Sequence, residues 1–368
     1  MFSNGGPMCM KFLVGSGAHA AQPGVFLCEV TSEGIRILSA FSGMENPSFV
    51  LAHPNGKWIY AVEEIAPEGR IRLLRRNEFS SSSFPTPACH SDGSTVTVFS
   101  SHGAHPCHLA TDSSGSFLTA SNYTSGNLSL FRIETDGSLS FLQQIVHHGQ
   151  GPHAIRQASP HIHFSAFSDD LLFTCDLGTD TVNCCYLDRD AERLIELSSK
   201  AVLPPGFGPR HLLVHPELHR LYVIAEMGAA VCVYSTSGLP EDSKDLPLLQ
   251  ICSTLPENIR KDQLHPADAD SFGAAIRFLS PDRICVSTRA HNSLAFFRIN
   301  QDGLLDREEI CTSGGSCPRD LDARTPYIIT ANQYSSCISL HQKEEGSPCR
   351  LLTQFSGIPL PTCIRILT

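Results

Sequence analysis

Two short patterns recur down this chain in alternation, and together they restrict its fold more than any other feature. The first is a lead-in, usually headed by proline: Pro47-Ser48-Phe49, Pro106-Cys107-His108, Pro160-His161-Ile162-His163, Pro209-Arg210-His211, Gly273-Ala274-Ala275-Ile276, Pro318-Arg319-Asp320 and Pro361-Thr362-Cys363. The second, about 13 to 16 residues later, is a polar residue that ends an apolar run: Glu63, Asn122, Asp176, Glu226, Arg289 and Asn332. A repeat of about 43 to 65 residues built from short strands points to a propeller or another closed array.

Each lead-in opens a short apolar strand that ends in a turn. Phe49-Val50-Leu51-Ala52 runs into His53-Pro54-Asn55-Gly56, and Leu109-Ala110-Thr111 into Asp112-Ser113-Ser114-Gly115. A second strand follows, such as Trp58 to Val62 or Leu221 to Ala225, and then the polar residue, a small-residue turn and a third strand. A fourth often follows Asp-Gly, as at Asp136-Gly137 and Asp302-Gly303. The unit is a four-stranded antiparallel meander with almost no helical periodicity. Seven lead-ins predict an all-β, seven-bladed propeller occupying residues 1–368 as one domain. The last lead-in leaves room for one strand, so Lys11-Phe12-Leu13-Val14 and Val25 to Val30 are expected to complete that blade and hide its edges. Residues 66–95 and 236–270 read as surface excursions.

No run of 18 apolar residues marks a membrane helix, and Met1 to Pro7 shows no signal-peptide pattern. A net charge of −10 disfavours nucleic acid or an anionic membrane as partner. Fifteen cysteines lie without C-x-x-C spacing, mostly in or beside strands, which suits a reduced, cytoplasmic protein. There is no G-x-S-x-G elbow, Walker loop or dinucleotide fingerprint, so no cofactor is expected.

In an antiparallel meander, the start of the first strand and the end of the second lie at one end. Around a ring, both patterns then encircle one mouth of the channel. The first brings His108, His163, His211 and Asp320, with Arg210 and Arg319 one residue earlier. The second brings Glu63, Asn122, Asp176, Glu226, Arg289 and Asn332, with His161, His291 and Gln333 adjacent. Polar residues at such positions also serve to bond neighbouring blades. Several arginines converging on a pocket need carboxylates or an anionic ligand. The functional reading is an anion pocket with His163 and Glu226 as acid/base groups. Substrate contacts are expected from His108, Asn122, His161, His291, Arg319, Asn332 and Gln333, and no metal site is expected.

The ordered series of His53 to Val62, Pro106-Cys107-His108, Asn122 to Asn127, His161-Ile162-His163-Phe164, Gly208 to Leu212, Arg289 to Ser293, Pro318-Arg319-Asp320 and Ala331-Asn332-Gln333 resembles the seven-bladed lactonase family. That family includes bacterial 6-phosphogluconolactonase of the propeller type and fungal carboxy-cis,cis-muconate cyclase. The resemblance covers almost the whole chain. It implies that the family's His, two Arg and Glu fall on His163, Arg210, Arg289 and Glu226. The chain departs from the pattern at Glu63-Glu64, where the family often has Asn-Glu, and at Arg324-Thr325-Pro326, which replaces a regular turn. The implied activity is hydrolysis of an anionic sugar lactone, with 6-phosphogluconolactone foremost. Lactone-forming cyclisation of a polycarboxylate and a non-catalytic scaffold are the alternatives. Whether His163 or Glu226 is the base stays open at this level. A calcium-dependent lactonase using Glu63, Asn122, Asp176 and Asn332 is opposed by the nearby Arg and His.

Overall fold

The computed structural model describes residues 10–75, 97–240, 245–264 and 272–367. Seven four-stranded antiparallel sheets form its blades. The first joins both ends of the chain: β1 (Met10–Ser16), β2 (Val25–Thr31) and β3 (Gly34–Phe41) add to the C-terminal β28 (Pro361–Ile366) in the order β28-β1-β2-β3. The second contains β4 (Val50–Ala52), β5 (Trp58–Glu63), β6 (Arg70–Arg75) and β7 (Thr97–Ser100). The third contains β8 (Pro106–Thr111), β9 (Phe117–Asn122), β10 (Asn127–Ile133) and β11 (Leu139–Val146). The fourth contains β12 (Ile162–Ser168), β13 (Leu171–Asp176), β14 (Thr181–Asp188) and β15 (Arg193–Val202). The fifth contains β16 (Pro209–His215), β17 (Arg220–Ala225), β18 (Ala230–Ser235) and β19 (Leu248–Ser253). The sixth contains β20 (Gly273–Ser280), β21 (Arg283–Thr288), β22 (Ser293–Ile299) and β23 (Leu305–Thr312). The seventh contains β24 (Pro318–Arg324), β25 (Tyr327–Asn332), β26 (Cys337–Gln342) and β27 (Arg350–Phe355). Each inner strand touches the next, from β4 through β8, β12, β16, β20 and β24 to β28 and back to β4, so the ring is closed.

Both sequence expectations of blade number and mixed-terminus closure hold, with two differences. The closing blade takes a third N-terminal strand, β3. The stretches expected as excursions carry β6 and β19, because Ile71, Leu73 and Leu74 bury an apolar face between arginines and β19 completes the fifth sheet. The remaining residues 76–96, 241–244 and 265–271 lie outside the described ones. Arg324-Thr325-Pro326 is a tight hairpin, with Arg324 opposite Tyr327.

The lead-in motif has a definite backbone meaning. In β8, β12, β16 and β24 the pairing register slips by one residue, leaving Cys107, His163, Arg210 and Arg319 without a partner on the second strand. These are β-bulges, which bend a strand and re-aim the extra side chain. In β20 the insertion is Ala274-Ala275. Its lead-in begins with glycine because a Cβ at Gly273 would lie 2.5 Å from the Ala225 carbonyl oxygen.

The repeated His-Pro and aromatic positions are latches between blades. His53 and His215 donate from Nε2 to the carbonyls of Gly115 and Pro281 in the following blades, at 2.8 and 3.0 Å. The Tyr60 and Tyr222 hydroxyls donate to Gly137 and Gly303 carbonyls. Asp320 closes the ring. It accepts from Arg277 of β20 at 3.1 Å, from Arg365 of β28 at 2.7 Å and from the Ile364 N–H at 3.0 Å. Asp322 accepts the Ile366 N–H at 2.8 Å. Adjacent carboxylates thereby satisfy the free edge of the C-terminal strand. Replacing Asp320 by Ala leaves two guanidinium groups and a backbone N–H without their acceptor. Urea unfolding is expected to show a loss of about 3–5 kcal/mol.

Candidate active site

Glu226, one residue past β17, is 2% exposed and lies at the centre of a cluster of positive charge. Its Oε2 is 3.1 Å from Arg210 Nε and 2.9 Å from a terminal nitrogen of Arg289. Its Oε1 accepts from Arg156. The bulge in β16 presents Arg210, and a terminal nitrogen of that residue donates to the Ala274 carbonyl at 2.8 Å and to His211 Nε2 at 3.0 Å. The Arg210 Nε–H is close to Glu226 but not aimed along a hydrogen bond. Arg289, one residue past β21, also donates to the Gly273 carbonyl at 3.1 Å. The start of β20 thus supplies a carbonyl acceptor to each of these two arginines.

Burial works against the Glu226 charge, but the guanidinium groups of Arg289, Arg156 and Arg210 overcome it and hold the carboxyl well below the carboxylate range. Burial, and next the Arg289 charge, push Arg210 down to about 9. Among the described residues, three guanidinium groups thus converge on one carboxylate.

Arg319, on the β24 bulge, is half-buried and makes no hydrogen bond or ion pair with any described residue. Burial opposes its charge, while Glu64 and Glu226 outweigh that and raise it. Glu64 itself accepts from the Ser48 hydroxyl.

His163 occupies the β12 bulge. The extra residue in Pro160-His161-Ile162-His163 gives it the position held by Arg210 and Arg319, rather than that of His108 and His211 as the spacing suggested. Its Nδ1 is buried without a partner. Burial, and next Arg210, hold its imidazole well below its usual range and therefore neutral. Tyr123 meets it edge-on at 5.7 Å and stacks on His161 at 4.4 Å. His161 Nδ1 donates to the Tyr123 carbonyl at 2.9 Å.

Other expected contacts are placed differently. His108 sits one residue deeper, packed at 4.4 Å on Phe49 and 4.0 Å on Phe164, with His211 4.6 Å from Phe164. These rings form a layer beneath the arginines. His108 and Phe164 face a cavity of about 390 Å³ on the far side, also walled by Leu213, Phe278, Arg277 and Arg365. Asn122 and Asn332 turn back into their blades, donating to the Ser101 and Ser313 carbonyls and to the Ser129 and Ser339 hydroxyls. Asp176 accepts the N–H groups of His161 and Gly178, and Glu63 binds Arg72 and the Glu45 N–H. The four oxygen donors weighed for calcium thus serve blade anchoring. His291 bonds Ser293, and Gln333 holds Cys317 through its N–H to the Cys317 carbonyl.

Arg156 was not singled out, because it belongs to neither repeating pattern. It lies in a turn between β11 and β12, whose shape comes from His153. That residue's Nδ1 accepts the N–H groups of Ile155 and Arg156. Buried Gln157 ties the turn to the Leu177 carbonyl at 2.9 Å.

A profile described as "Lactonase, 7-bladed beta-propeller" matches residues 11–366. The chain belongs to this lactonase family. Among its relatives are a 6-phosphogluconolactonase of Bacillus subtilis, 26% identical over 370 residues, covering 96% of this chain and 97% of that one. Another of the same name, from Formosa agariphila, is 28% identical over 344 residues, covering 90% and 89%. The solved structure of a periplasmic gluconolactonase of Pseudomonas aeruginosa shares the fold, with a TM-score of 0.80 and 21% identity over 98% of this chain and 99% of that one. Among the described residues of this lactonase-family chain, no helix is long and apolar enough to cross a membrane.

Buried neutral histidines carry a pH signature. Burial is the first cause that lowers His108, His163 and His211, followed by Arg365 for His108 and by Arg210 for the other two. In the unfolded chain these groups titrate near about 6.5 and take up protons that the folded form refuses. Stability is therefore retained above that pH and lost below it, by up to about 1.4 kcal/mol per pH unit per histidine. Thermal unfolding between pH 7.5 and 5 is expected to show this decline, with a shallower slope for His211→Asn.

Proposed function

We propose that this protein hydrolyses an anionic sugar lactone, with 6-phosphogluconolactone the substrate and 6-phosphogluconate the product. One observation carries the reading: the half-buried Arg319 guanidinium, which makes no hydrogen bond or ion pair with any described residue, stands on a strand bulge equivalent to those that carry Arg210 and His163. Such an arrangement is suited to a ligand bearing a strongly anionic group, and a guanidinium is the natural fork for phosphate. The family to which the chain belongs, and the names of its relatives, supply the reaction class.

The roles follow from the environments. Glu226 is too strongly held as an anion to be a good proton acceptor; it aligns Arg210 and Arg289. His163 is neutral and takes the proton of the attacking water as its oxygen bonds to the lactone carbonyl carbon. Arg210 and Arg289 stabilise the oxyanion that develops there. Breaking the ring C–O bond returns the proton from His163 to the leaving oxygen. Arg319 holds the phosphate. This reading assigns action in the cytoplasm, in line with free thiols at all the described cysteines. Exposed apolar residues lie on outer strands, such as Phe141 and Val146 on β11, Ile195 on β15, Leu248 on β19 and Leu351 on β27, and in the loops at Ile155, Tyr334 and Leu360.

The test is hydrolysis of freshly generated 6-phosphogluconolactone beside the neutral gluconolactone. His163→Gln is expected to lower kcat by about 10²–10⁴-fold on both. Arg319→Met is expected to cost about 10–100-fold in kcat/KM on the phosphorylated substrate, the worth of a charge-assisted contact, and little on the neutral one. Folded wild type without activity above the spontaneous rate on either lactone defeats the proposal and moves polycarboxylate cyclisation to the front.

A further inference from the structure

The cavity of about 390 Å³ lies at the far ends of the inner strands, away from the bulges that carry His163, Arg210 and Arg319. Its lining comes from β4, β8, β12, β16, β20 and β28. Phe49, Phe164, Phe167, Phe278 and Leu213 make it largely apolar, and its two cations are Arg277 and Arg365. A concave apolar space with a few polar groups is the usual form of a small-molecule site, and this volume falls within the range of such sites, about 300–1,000 Å³.

The two arginines are used differently. Arg277 bonds through both terminal nitrogens, one to the Ile276 carbonyl at 2.8 Å and the other to Asp320 at 3.1 Å, and its Nε is 3.8 Å from Asp322. Arg365 bonds through Nη1 alone, which donates to Asp320 at 2.7 Å and to the Ile364 carbonyl. Its Nε and Nη2 make no hydrogen bond with any described residue. In a guanidinium, the Nε–H and one Nη2–H point the same way along one edge, which matches the two oxygens of a carboxylate. The Phe49 ring packs on the Arg365 guanidinium, with the central carbon 4.5 Å from the ring centroid. Asp320 and Phe49 together fix the plane of the group, so the free edge is set before a ligand arrives.

Charge narrows the choice of ligand. Asp320 and Asp322 already match Arg277 and Arg365 in number. Net charge therefore gives little attraction, and hydrogen-bond geometry and apolar contact decide what is held. One carboxylate fills both positions of the Arg365 edge. A second anionic group would meet phenylalanine walls without a partner, which is costly.

We propose that this cavity binds a small aromatic monocarboxylate, with its carboxylate on the Nε–Nη2 edge of Arg365 and its rings among Phe49, Phe164, Phe167 and Phe278. The carboxylate accepts and the guanidinium donates both hydrogen bonds. Binding here does not depend on lactone chemistry at the Glu226 cluster.

The probe is 2-naphthoate, followed by isothermal titration calorimetry, with 2-naphthamide as an uncharged molecule of the same shape. The wild type is expected to bind one naphthoate per chain, at least about 10-fold more tightly than the amide, as for a charge-assisted contact. Arg365→Met is expected to remove that preference and to leave binding of the amide in place. Ala166→Phe, which adds a ring to the cavity lining, is expected to abolish binding of both, and Arg319→Met to change neither. No binding to the wild type at millimolar naphthoate overturns the proposal. Equal affinity for acid and amide removes the carboxylate from Arg365 and overturns it too. So does binding that survives Ala166→Phe but is lost in Arg319→Met, which puts the acid in the arginine cluster instead. The wild-type comparison of acid and amide decides the matter even where Arg365→Met fails to fold.

Discussion

One extra residue in an inner strand is the constraint on which the site depends. A regular strand alternates its side chains between the two faces of a blade. It offers no way to aim a long cation along the channel while keeping the blade interfaces apolar. The bulges in β8, β12, β16 and β24 remove Cys107, His163, Arg210 and Arg319 from that alternation. The flanking residues continue the sheet. The ring can therefore keep one backbone plan while each blade supplies a different group, from a thiol to a guanidinium, at an equivalent point.

Gathering cations in this way creates an electrostatic problem that fixes the role of Glu226. Two unit charges about 4 Å apart repel by about 4 kcal/mol at an effective dielectric of 20. Arg156, Arg210 and Arg289 are tolerated together because all three meet the same carboxylate. That carboxylate is accordingly poorly basic, and it is for this reason that the proposed reaction gives proton transfer to the neutral imidazole of His163. The seam at Asp320 uses the same physics for a different end. There Asp320 joins three inner strands through two guanidinium groups, and Asp322 beside it brings the carboxylates to the same number as the cations.

Much of this was legible in the sequence. The lead-ins marked six of the seven inner strands at their first turn, and Pro361 correctly announced a blade shared by both ends of the chain. His163, Arg210, Glu226 and Arg289 fall at one mouth because antiparallel geometry puts both patterns there. The depth of each side chain was not legible. A bulge changes register without changing composition, so His108 looked equivalent to His163 although it lies in the layer below. Asn122 and Asn332 looked like ligand groups because an amide's orientation is decided by its neighbours, here serines on the third strand and in the preceding loop. Arg156 was invisible because its turn belongs to no repeat. The strand β6 was hidden by the arginines that flank its buried face.

The rings of Phe49, His108, Phe164 and His211 touch in sequence, at 4.4, 4.0 and 4.6 Å. His108 and Phe164 line the cavity walled by Leu213 and Phe278, whereas His211 meets Arg210 and the His163 ring. The two regions are thus joined by a short chain of packed rings. A side chain that changes size in the cavity lining has a direct mechanical route, through His108, Phe164 and His211, to the imidazole and the guanidinium on the bulges.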